Sequence, residues 1–478
     1  MSKLIVLSNR VNLPSVDGHA AGGLAVALQD ALQDMGGVWL GWNGEKVKSI
    51  DEQHFSVHQT EHVEFVTCPL TQQQYEDYYC GFSNNTLWPA MHNREDLIEF
   101  QHEEFRTYQK VNQHFATELS RIAQPEDIIW VHDYHFLSIA HHCRELGMKN
   151  RIGFFLHIPC AALDIWKGLN ISEKLIQHLS EYNVIGLQTE QDQKKCVDVL
   201  QYYLGGLLTL DQILVLENRE IKIQCYPIGV NPELIQQTAL DAENEKTDTT
   251  FNFEQVGNHK TIISVDRIDY SKGLIERFNA FADFLEQHPE YHQLVTDLQV
   301  ACPCRMDIPA YEDLFNQVQT TVEAINHQFS QGDWNPIHCT HDTIAHDQLM
   351  QIYRQSDICW VNSLRDGMNL VAKEFIAAQD PEHPGILILS KYAGSAEQMP
   401  EAIIVDPESP SSMVDALKKA LVMSKSERIE RYEYLIKGLK HFDITDWRNA
   451  FLNDLKNIAP AAITQSASST RTVQHTRS

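Results

Sequence analysis

Short apolar runs recur along this chain, and each is bounded by Gly, Pro, Asn or Asp. Six of them occupy the first half, at residues 3–7, 38–41, 127–132, 151–157, 184–188 and 222–227. Five more occupy the second half, at residues 261–265, 298–302, 357–361, 386–390 and 402–405. Apolar residues at helical spacing predict helices between the runs, at residues 24–35, 274–285, 370–378 and 413–423. Strands that alternate with helices predict parallel sheets covered by helices on both faces.

The two sets of strands predict two doubly wound, Rossmann-like α/β domains that face each other across a cleft. We assign the first domain to residues 1–228 and the second to residues 229–440, with the Pro- and Gly-containing segment 226–232 as the hinge. A helix at residues 441–458 is expected to return to the first domain. Residues 459–478 are rich in Ala, Ser, Thr and Gln without apolar periodicity, which predicts a disordered tail.

The charge balance excludes several classes of partner. The formal net charge of the 478 residues is −27, from 38 Lys and Arg against 65 Asp and Glu. Such an acidic surface repels nucleic acid and anionic membranes, so neither is an expected partner. No stretch approaches the ~20 apolar residues of a membrane span. The ten cysteines are scattered, and Cys302-Pro303-Cys304 lacks further ligands at zinc spacing, which predicts reduced cysteines in a cytoplasmic protein without a metal site.

Basic and polar residues follow six of the predicted strands, at the edge where doubly wound sheets bind ligands. These strand ends carry Arg10, Asp133, His157, Arg267 with Lys272, Arg305 and the segment 364–374. The last segment opens directly into a helix, where free N–H groups and the helix dipole could hold a phosphate. A plain helix start capped by Asp366 or Asn369 explains this segment alone equally well. Together, the six strand ends predict a site in the cleft between the domains.

The basic residues suggest two separate anion sites. Arg267 and Lys272 lie five residues apart across a strand-to-helix turn, a suitable geometry for a diphosphate, although a surface basic pair remains an alternative. Arg10 and Arg305 lie in opposite halves, so domain closure could bring both onto a second phosphate. Two facing anion sites indicate group transfer between phosphorylated molecules. The P-loop motif and G-x-G-x-x-G are both missing, which argues against a P-loop kinase and a dinucleotide-dependent dehydrogenase.

Seven motifs together resemble bacterial trehalose-6-phosphate synthases, in order and at matching spacing over about residues 1 to 457. They are Ser8-Asn9-Arg10, Gly22-Gly23-Leu24, Leu87-Trp88-Pro89-Ala90, His132-Asp133-Tyr134-His135, His157-Ile158-Pro159, the segment 267–274 and the segment 366–374. The resemblance implies a retaining GT-B glycosyltransferase that moves glucose from UDP-glucose to glucose 6-phosphate. The product would be α,α-trehalose 6-phosphate, in the first step of trehalose synthesis for osmoprotection. The resemblance further implies a cytoplasmic homotetramer that needs no metal or other cofactor.

The resemblance also implies a role for individual residues. The donor UDP-glucose would contact Gly22, Gly23, Arg267, Lys272, Ile344, Asp366, Leu370, Val371, Ala372, Lys373 and Glu374. The acceptor glucose 6-phosphate would contact Arg10, Tyr79, Trp88, Asp133 and Arg305. The catalytic set would be Arg267, Lys272, His157 and Asp366. In this family, the leaving phosphate is thought to take the acceptor proton, and the two cations would stabilise the departing UDP.

Two departures from the family pattern lie on the acceptor side. Cys160-Ala161 stands where the family has Phe-Pro, and Met91-His92-Asn93 stands where Phe-His-Tyr is common. Acceptor preference is therefore the open question. A glucosylglycerol-phosphate synthase with the same donor is one alternative, and a catalytically silent sugar-phosphate-binding regulator is another. A pyridoxal phosphate-dependent phosphorylase shares the architecture.

Overall fold

The computed structural model describes residues 2–11, 13, 28, 32, 36–245 and 259–459. Within these residues, sixteen strands form two sheets. The predicted site residues Gly22 and Gly23, most of the predicted helix at 24–35, and residues 460–478 of the predicted tail lie outside the described residues.

The first sheet has ten strands in the order β3-β4-β2-β1-β5-β6-β7-β10-β9-β8. The strands from β4 to β10 in this order are parallel, whereas β3, β9 and β8 run antiparallel to their neighbours at the edges. Their bounds are β1 Leu4–Arg10, β2 Gly37–Val47, β3 Ser56–Gln59, β4 Val63–Thr71, β5 Ile128–His132, β6 Arg151–Phe155, β7 Val184–Leu187, β8 Leu207–Leu208, β9 Ile213–Val215 and β10 Glu220–Cys225.

The second sheet has six strands, all parallel, in the order β13-β12-β11-β14-β15-β16. Their bounds are β11 Lys260–Arg267, β12 Val295–Cys302, β13 Ile337–Thr340, β14 Ile358–Val361, β15 Ile386–Ser390 and β16 Ile403–Val405. Strands covered on both faces need continuous apolar runs. The fully buried Ile-Cys-Trp-Val of β14 is such a run.

Helices cover both sheets and connect their strands. The α-helices of the first half are Gln72–Gln74, Trp88–Met91, His102–Ile122, Ile139–Glu145, Leu163–Gly168, Ser172–Leu179, Glu190–Leu204 and Pro232–Glu245. Those of the second half are Leu274–Gln287, Pro309–Phe329, His346–Gln355, Leu370–Ala378, Pro410–Val422, Lys425–His441 and Ile444–Asn457. Residues Tyr75–Leu87 form a π-helix, and short 3-10 turns occur at Ile50–Glu52, Glu95–Leu97, Tyr134–Phe136, Pro289–Tyr291 and Gly394–Glu397.

The last described helix packs on the first sheet. Asp443 caps Ile444–Asn457 by accepting from the Thr445 and Asp446 amides. The Phe451 ring stacks on Trp130 of β5 at 4.9 Å, and Trp447 is fully buried in the same cluster. The helix Ile444–Asn457 therefore shares a hydrophobic core with β1.

Each of the eleven predicted strands corresponds to a parallel strand, and the predicted helices at 274–285, 370–378 and 413–423 are also confirmed. The prediction missed β3, β4, β8, β9 and β13. β4 was missed because it contains Glu64 and Pro69 despite its burial, and the side chains of β3 are exposed. No helix among the described residues is long and apolar enough to cross a bilayer. All ten cysteines are described, and all are free thiols.

Candidate active site

The predicted strand ends of the two sheets meet across a narrow cleft. Gly367 of the loop after β14 lies so close to the loop after β6 that a Cβ atom there would be 2.0 Å from the His157 carbonyl oxygen. A second glycine, Gly394, lies against Gly367 itself, and a Cβ atom added to it would be 1.9 Å from the Gly367 oxygen. The next side chain, Met368, is buried in the cluster that contains Leu4 of the first sheet. The segment between β14 and its helix therefore inserts into the first half of the molecule.

Lys272 and Asp366 form an ion pair in the cleft, with 2.5 Å between Nζ and Oδ2. The Asp366 carboxylate also accepts from Ser363 Oγ and Asn369 Nδ2, each at 3.1 Å. Burial alone raises the pKa of Asp366, but Lys272 and Asn369 more than offset this effect and lower the pKa below its usual value. Asp366 is therefore held as a carboxylate, and it fixes the position of the Lys272 side chain.

The helix Leu370–Ala378 begins directly beside this pair. Asn369 has a positive φ of 71°, and its side chain accepts from the Ala372 amide at 3.2 Å. By helix geometry, the Lys373 amide bonds back to the Asn369 carbonyl. The N–H groups of Leu370 and Val371 are then the pair directed out of the helix start, where an anion is favoured.

Two charged side chains of this helix lie in different environments. Burial raises the pKa of the half-buried Glu374 carboxyl to about 7. Lys373 is 1% exposed, and its Nζ donates to the Ile228 carbonyl and to Gln398 Oε1, both at 2.6 Å. The Lys373 ammonium therefore points toward the crossing between the two halves and away from the helix start.

Arg267 and Ile344 complete the predicted donor residues that are described. Arg267 is exposed at the end of β11, with its guanidinium carbon 5.7 Å from the centre of the Trp88 ring. Ile344 packs against the same hydrophobic cluster as Leu370 and Val371, at the start of the helix Leu370–Ala378, which we call the donor helix because it carries predicted donor residues. The structure thus brings a cation, an apolar surface and a helix start to one side of the cleft.

Arg305 reaches across the cleft from the second sheet. Its guanidinium donates to Asp269 Oδ2 at 2.9 Å and to the Tyr311 hydroxyl at 2.6 Å. It also lies 3.9 Å from the Trp88 ring centre and 3.3 Å from the Tyr134 hydroxyl, both from the first half. Burial by itself raises the pKa of Asp269, but the guanidiniums of Arg305 and Arg267 lower it to about 2. This buried carboxylate fixes the position of the Arg305 guanidinium.

Arg10 lies on the opposite wall. Its guanidinium carbon is 5.2 Å from the Trp42 ring centre, and it occupies the space beside Gly44, whose φ is +87°. A Cβ at Gly44 would be 1.1 Å from Arg10 Nη1, so a larger residue there would displace the Arg10 guanidinium, and the positive φ also favours glycine. Tyr79 packs on Trp42 at 5.6 Å, whereas the neighbouring Tyr78 is fully buried. The structure therefore directs Tyr79 toward this wall.

Asp133 and His157 lie between the two walls. Asp133 has a positive φ of 73°, and its Oδ1 accepts from the His157 amide at 3.2 Å. Burial raises the pKa of Asp133 to about 6. The His157 ring lies 2.9 Å from His132 Nδ1 through Nε2 and 3.3 Å from Gln188 Nε2 through Nδ1. Burial lowers the pKa of His157 to about 3, so the ring is neutral.

Backbone strain concentrates in the cleft. Six non-glycine residues among those described have positive φ, and Asp133, Arg305 and Asn369 are three of them. Such conformations cost about 1–3 kcal/mol each, and they persist where the surroundings impose them. Each of the three follows a parallel strand and supports a polar group of the cleft.

The sequence profile of glycosyltransferase family 20 matches residues 9–457. The trehalose-6-phosphate synthase of Sodalis glossinidius (strain morsitans) is 40% identical over 462 residues, which cover 97% of this chain and 97% of that protein. The chain belongs to glycosyltransferase family 20.

Solved structures of similar proteins share the fold of this family member. A UDP-forming trehalose-phosphate synthase from Burkholderia xenovorans, in complex with glucose-6-phosphate, is 38% identical, with a TM-score of 0.90 and coverage of 95% of this chain and 100% of that chain. An E. coli relative bound with UDP-2-fluoro glucose is 37% identical, with a TM-score of 0.89 and coverage of 96% and 100%. The predicted GT-B fold class and the resemblance to trehalose-6-phosphate synthases are confirmed.

The sequence pattern did not predict several residues that line the cleft of this family member. Trp42 and Gly44 directly follow the predicted strand at 38–41. Their position after a parallel strand, which indicated the other site residues, therefore indicates them as well. Asp269 lies between Arg267 and Lys272, but nothing in the spacing indicates that it holds Arg305. The π-helix Tyr75–Leu87, which carries Tyr79, was not predicted, because amphipathic patterns are based on the period of the α-helix.

The two departures from the family pattern pack behind the cleft. Cys160 and Met91 are 6% and 2% exposed, and the Ala161 amide donates to Met91 Sδ at 3.4 Å. The Cys160 amide donates to Asp192 Oδ1 at 3.0 Å. These substitutions therefore change the packing that supports the loop after β6, and their side chains belong to the core of the first half.

Proposed function

We propose that this chain is a retaining glycosyltransferase that transfers glucose from UDP-glucose to glucose 6-phosphate and releases α,α-trehalose 6-phosphate and UDP. The observation that carries the proposal is the convergence of four cations on one cleft, with Arg267, Lys272 and Arg305 from the second half and Arg10 from the first. Membership of glycosyltransferase family 20 supports it. So do the relatives bound with glucose-6-phosphate and with UDP-2-fluoro glucose.

The donor side would hold UDP-glucose by its charges and by the helix start. Lys272 and Arg267 would neutralise the diphosphate, and the Leu370 and Val371 amides would donate to it. Glu374 would accept from the ribose hydroxyls, and Ile344 would contact the uracil. Gly22 and Gly23 retain their proposed donor role outside the described residues.

The acceptor side would hold glucose 6-phosphate by its two ends. Arg10 and Arg305 would bind the phosphate, and Tyr79 and Trp88 would contact the sugar. The Trp88 indole N–H has no hydrogen-bond partner among the described residues, so it is available as a donor. Asp133 would accept from a sugar hydroxyl.

The reaction would proceed by stabilising the leaving group. As the bond from glucose to phosphate breaks, negative charge grows on the UDP oxygens, and Lys272 with Arg267 would stabilise it. The leaving phosphate would take the acceptor proton. Asp366 is already engaged by Lys272, Ser363 and Asn369, which supports a role in holding a glucose hydroxyl and argues against a glycosyl ester. His157 would hold another hydroxyl of the transferred glucose, beside Asp366.

We further propose two domains, residues 1–228 and 229–440, that close about segment 226–232. A cytoplasmic homotetramer follows from the family resemblance. Light scattering coupled to gel filtration measures this state directly, and a mass other than four chains would contradict it.

A panel of donors against acceptors tests the function. UDP-, GDP- and ADP-glucose would each be combined with glucose 6-phosphate, glycerol 3-phosphate or buffer. The proposal predicts the highest kcat/KM with UDP-glucose and glucose 6-phosphate. Turnover with glycerol 3-phosphate alone would contradict it and favour a glucosylglycerol-phosphate synthase, and binding of both sugars without turnover would favour a silent regulator.

A further inference from the structure

A row of hydrogen bonds connects the donor helix with the acceptor side through the crossing between the two halves. It runs from Lys373 to the Ile228 backbone, then to Gln188, His157 and His132. Gln188 follows β7, is 2% exposed, and is the side chain at the centre of the row.

The orientation of the Gln188 amide follows from its partners. Its Oε1 accepts from the Ile228 amide at 2.9 Å, and a backbone N–H can only donate. The Nε2 group therefore faces His157 Nδ1 at 3.3 Å and donates to it. This leaves His157 Nδ1 without a proton.

The proton of the neutral His157 ring is then on Nε2, which lies 2.9 Å from His132 Nδ1. His157 Nε2 donates to His132, and His132 carries its own proton on Nε2. Burial lowers the pKa of both rings, which keeps the two histidines neutral. One glutamine thus fixes the tautomers of two histidines.

The other end of the row is the donor helix. The Ile228 carbonyl accepts from Lys373 Nζ at 2.6 Å, and Lys373 precedes Glu374 on the helix Leu370–Ala378. His157 itself touches both sides of the cleft, since its amide donates to Asp133 and its carbonyl lies against Gly367.

We propose that Gln188 is a positioning residue for glucosyl transfer, because it holds His157 as the Nε2–H tautomer and connects it through Ile228 to Lys373. The inference rests on the proposed function for its kinetic consequence. The tautomer itself is independent of that function.

Two substitutions separate this role from simple packing. Gln188→Leu removes both hydrogen bonds at similar volume, and we expect at least a tenfold loss of kcat with glucose 6-phosphate. Gln188→Glu keeps the acceptor for Ile228 but directs a second oxygen at His157 Nδ1, which demands a proton there. We expect this near-isosteric variant to have a kcat as low as that of Gln188→Leu.

Gln193→Leu is the matched control. Gln193 is a half-buried glutamine whose Nε2 donates to the Ile223 carbonyl at 2.8 Å and to Gln212 at 3.1 Å, away from the cleft. We expect wild-type kcat and KM values in this variant. A comparable loss of kcat there would assign the effect to general packing and would overturn the proposal.

NMR of protein labelled with ¹⁵N-histidine gives a readout that does not depend on activity. The His157 signals, identified by their loss in His157→Asn, should show the Nε2–H pattern in wild type and change in Gln188→Glu. An Nδ1–H pattern in wild type would overturn the proposal even in an active enzyme. The expected pattern in a protein without transferase activity would contradict the proposed function alone.

A double-mutant cycle tests the connection to Lys373. If Gln188 and Lys373 act through the same Ile228 backbone, Gln188→Leu and Lys373→Met together should lower kcat/KM for UDP-glucose by less than the product of their separate effects. Effects that multiply would overturn the coupling.

Discussion

Two cations of the cleft, Lys272 and Arg305, each already have one carboxylate partner. Lys272 is held by Asp366, and Arg305 is held by Asp269. A long side chain fixed by such a pair has lost its rotamer freedom before the substrate arrives. Preorganised charges of this kind can stabilise a leaving group without reorganising during the reaction.

Removing one of these cations should therefore affect the chemical step. We expect Lys272→Ala or Arg267→Ala to lower kcat by ~100-fold or more, as for loss of one transition-state charge partner. Steady-state kinetics with saturating substrates measures the change. Lys391→Ala is the control, because Lys391 pairs with Asp406 on the surface and should keep its kcat. A wild-type kcat in the Lys272 and Arg267 variants would refute their proposed role.

The pH dependence of donor binding reports on Glu374. Its half-buried carboxyl has a pKa of about 7, and the proposed contact with the ribose hydroxyls would favour the carboxylate. The KM for UDP-glucose should therefore rise as pH falls below about 7, while the donor diphosphate stays fully ionised. Burial also lowers the pKa of Lys373 to about 7 and raises that of Asp266 to about 7, so the variant Glu374→Gln is needed to isolate this carboxyl. An unchanged pH profile in Glu374→Gln would exclude Glu374 as the titrating group.

Among the elements, the end of β2 shapes the proposed acceptor wall through its backbone. Gly44 leaves the space that the Arg10 guanidinium fills, and Trp42 lies beside it. We expect Gly44→Ala to raise the KM for glucose 6-phosphate about tenfold, as for about 1.4 kcal/mol of lost binding. The KM for UDP-glucose should not change.

Gly147→Ala separates displacement of Arg10 from backbone strain. Gly147 has a similar φ of +80°, but a Cβ there would meet nothing within 4 Å. This control should lose some stability from strain and keep both KM values. An equal rise of the KM for glucose 6-phosphate in both variants would contradict the account of the acceptor wall.

The sequence predicted those parts of the fold that depend on local pattern. Apolar runs such as that of β14 must be buried on both faces, so their positions and the strand ends that carry Arg267 and Asp366 followed directly. Features that depend on contacts between residues far apart in sequence could not be predicted. Met368 inserts into the core of the other half, and the Lys373 side chain turns toward Ile228, because of neighbours far away in sequence.

At the scale of the whole molecule, the two halves are joined by more than the segment between them. The helix Ile444–Asn457 returns from the end of the chain to the first sheet, where Lys222 pairs with Asp454 at 2.7 Å. The core that supports Asp133 and His157 thus contains residues of β1 and of the helix Ile444–Asn457.

Removing a large buried side chain from the helix Ile444–Asn457 should destabilise the first half. We expect Trp447→Ala to lower the free energy of unfolding by about 3–5 kcal/mol, as for a fully buried tryptophan. Urea denaturation followed by circular dichroism measures the loss. Tyr434→Ala, at a side chain that is 56% exposed, is the control and should change stability by less than about 0.5 kcal/mol. Equal stability of both variants would mean that the last helix contributes little.

The central claim is direct transfer between two facing phosphate sites with retention of configuration. ¹³C NMR of the product formed from UDP-[1-¹³C]glucose and glucose 6-phosphate tests it most directly. We expect a labelled anomeric carbon in the α configuration, linked to the α anomeric carbon of glucose 6-phosphate, with one UDP released per bond formed. A β-linked product, or labelled free glucose with no disaccharide phosphate, would contradict it.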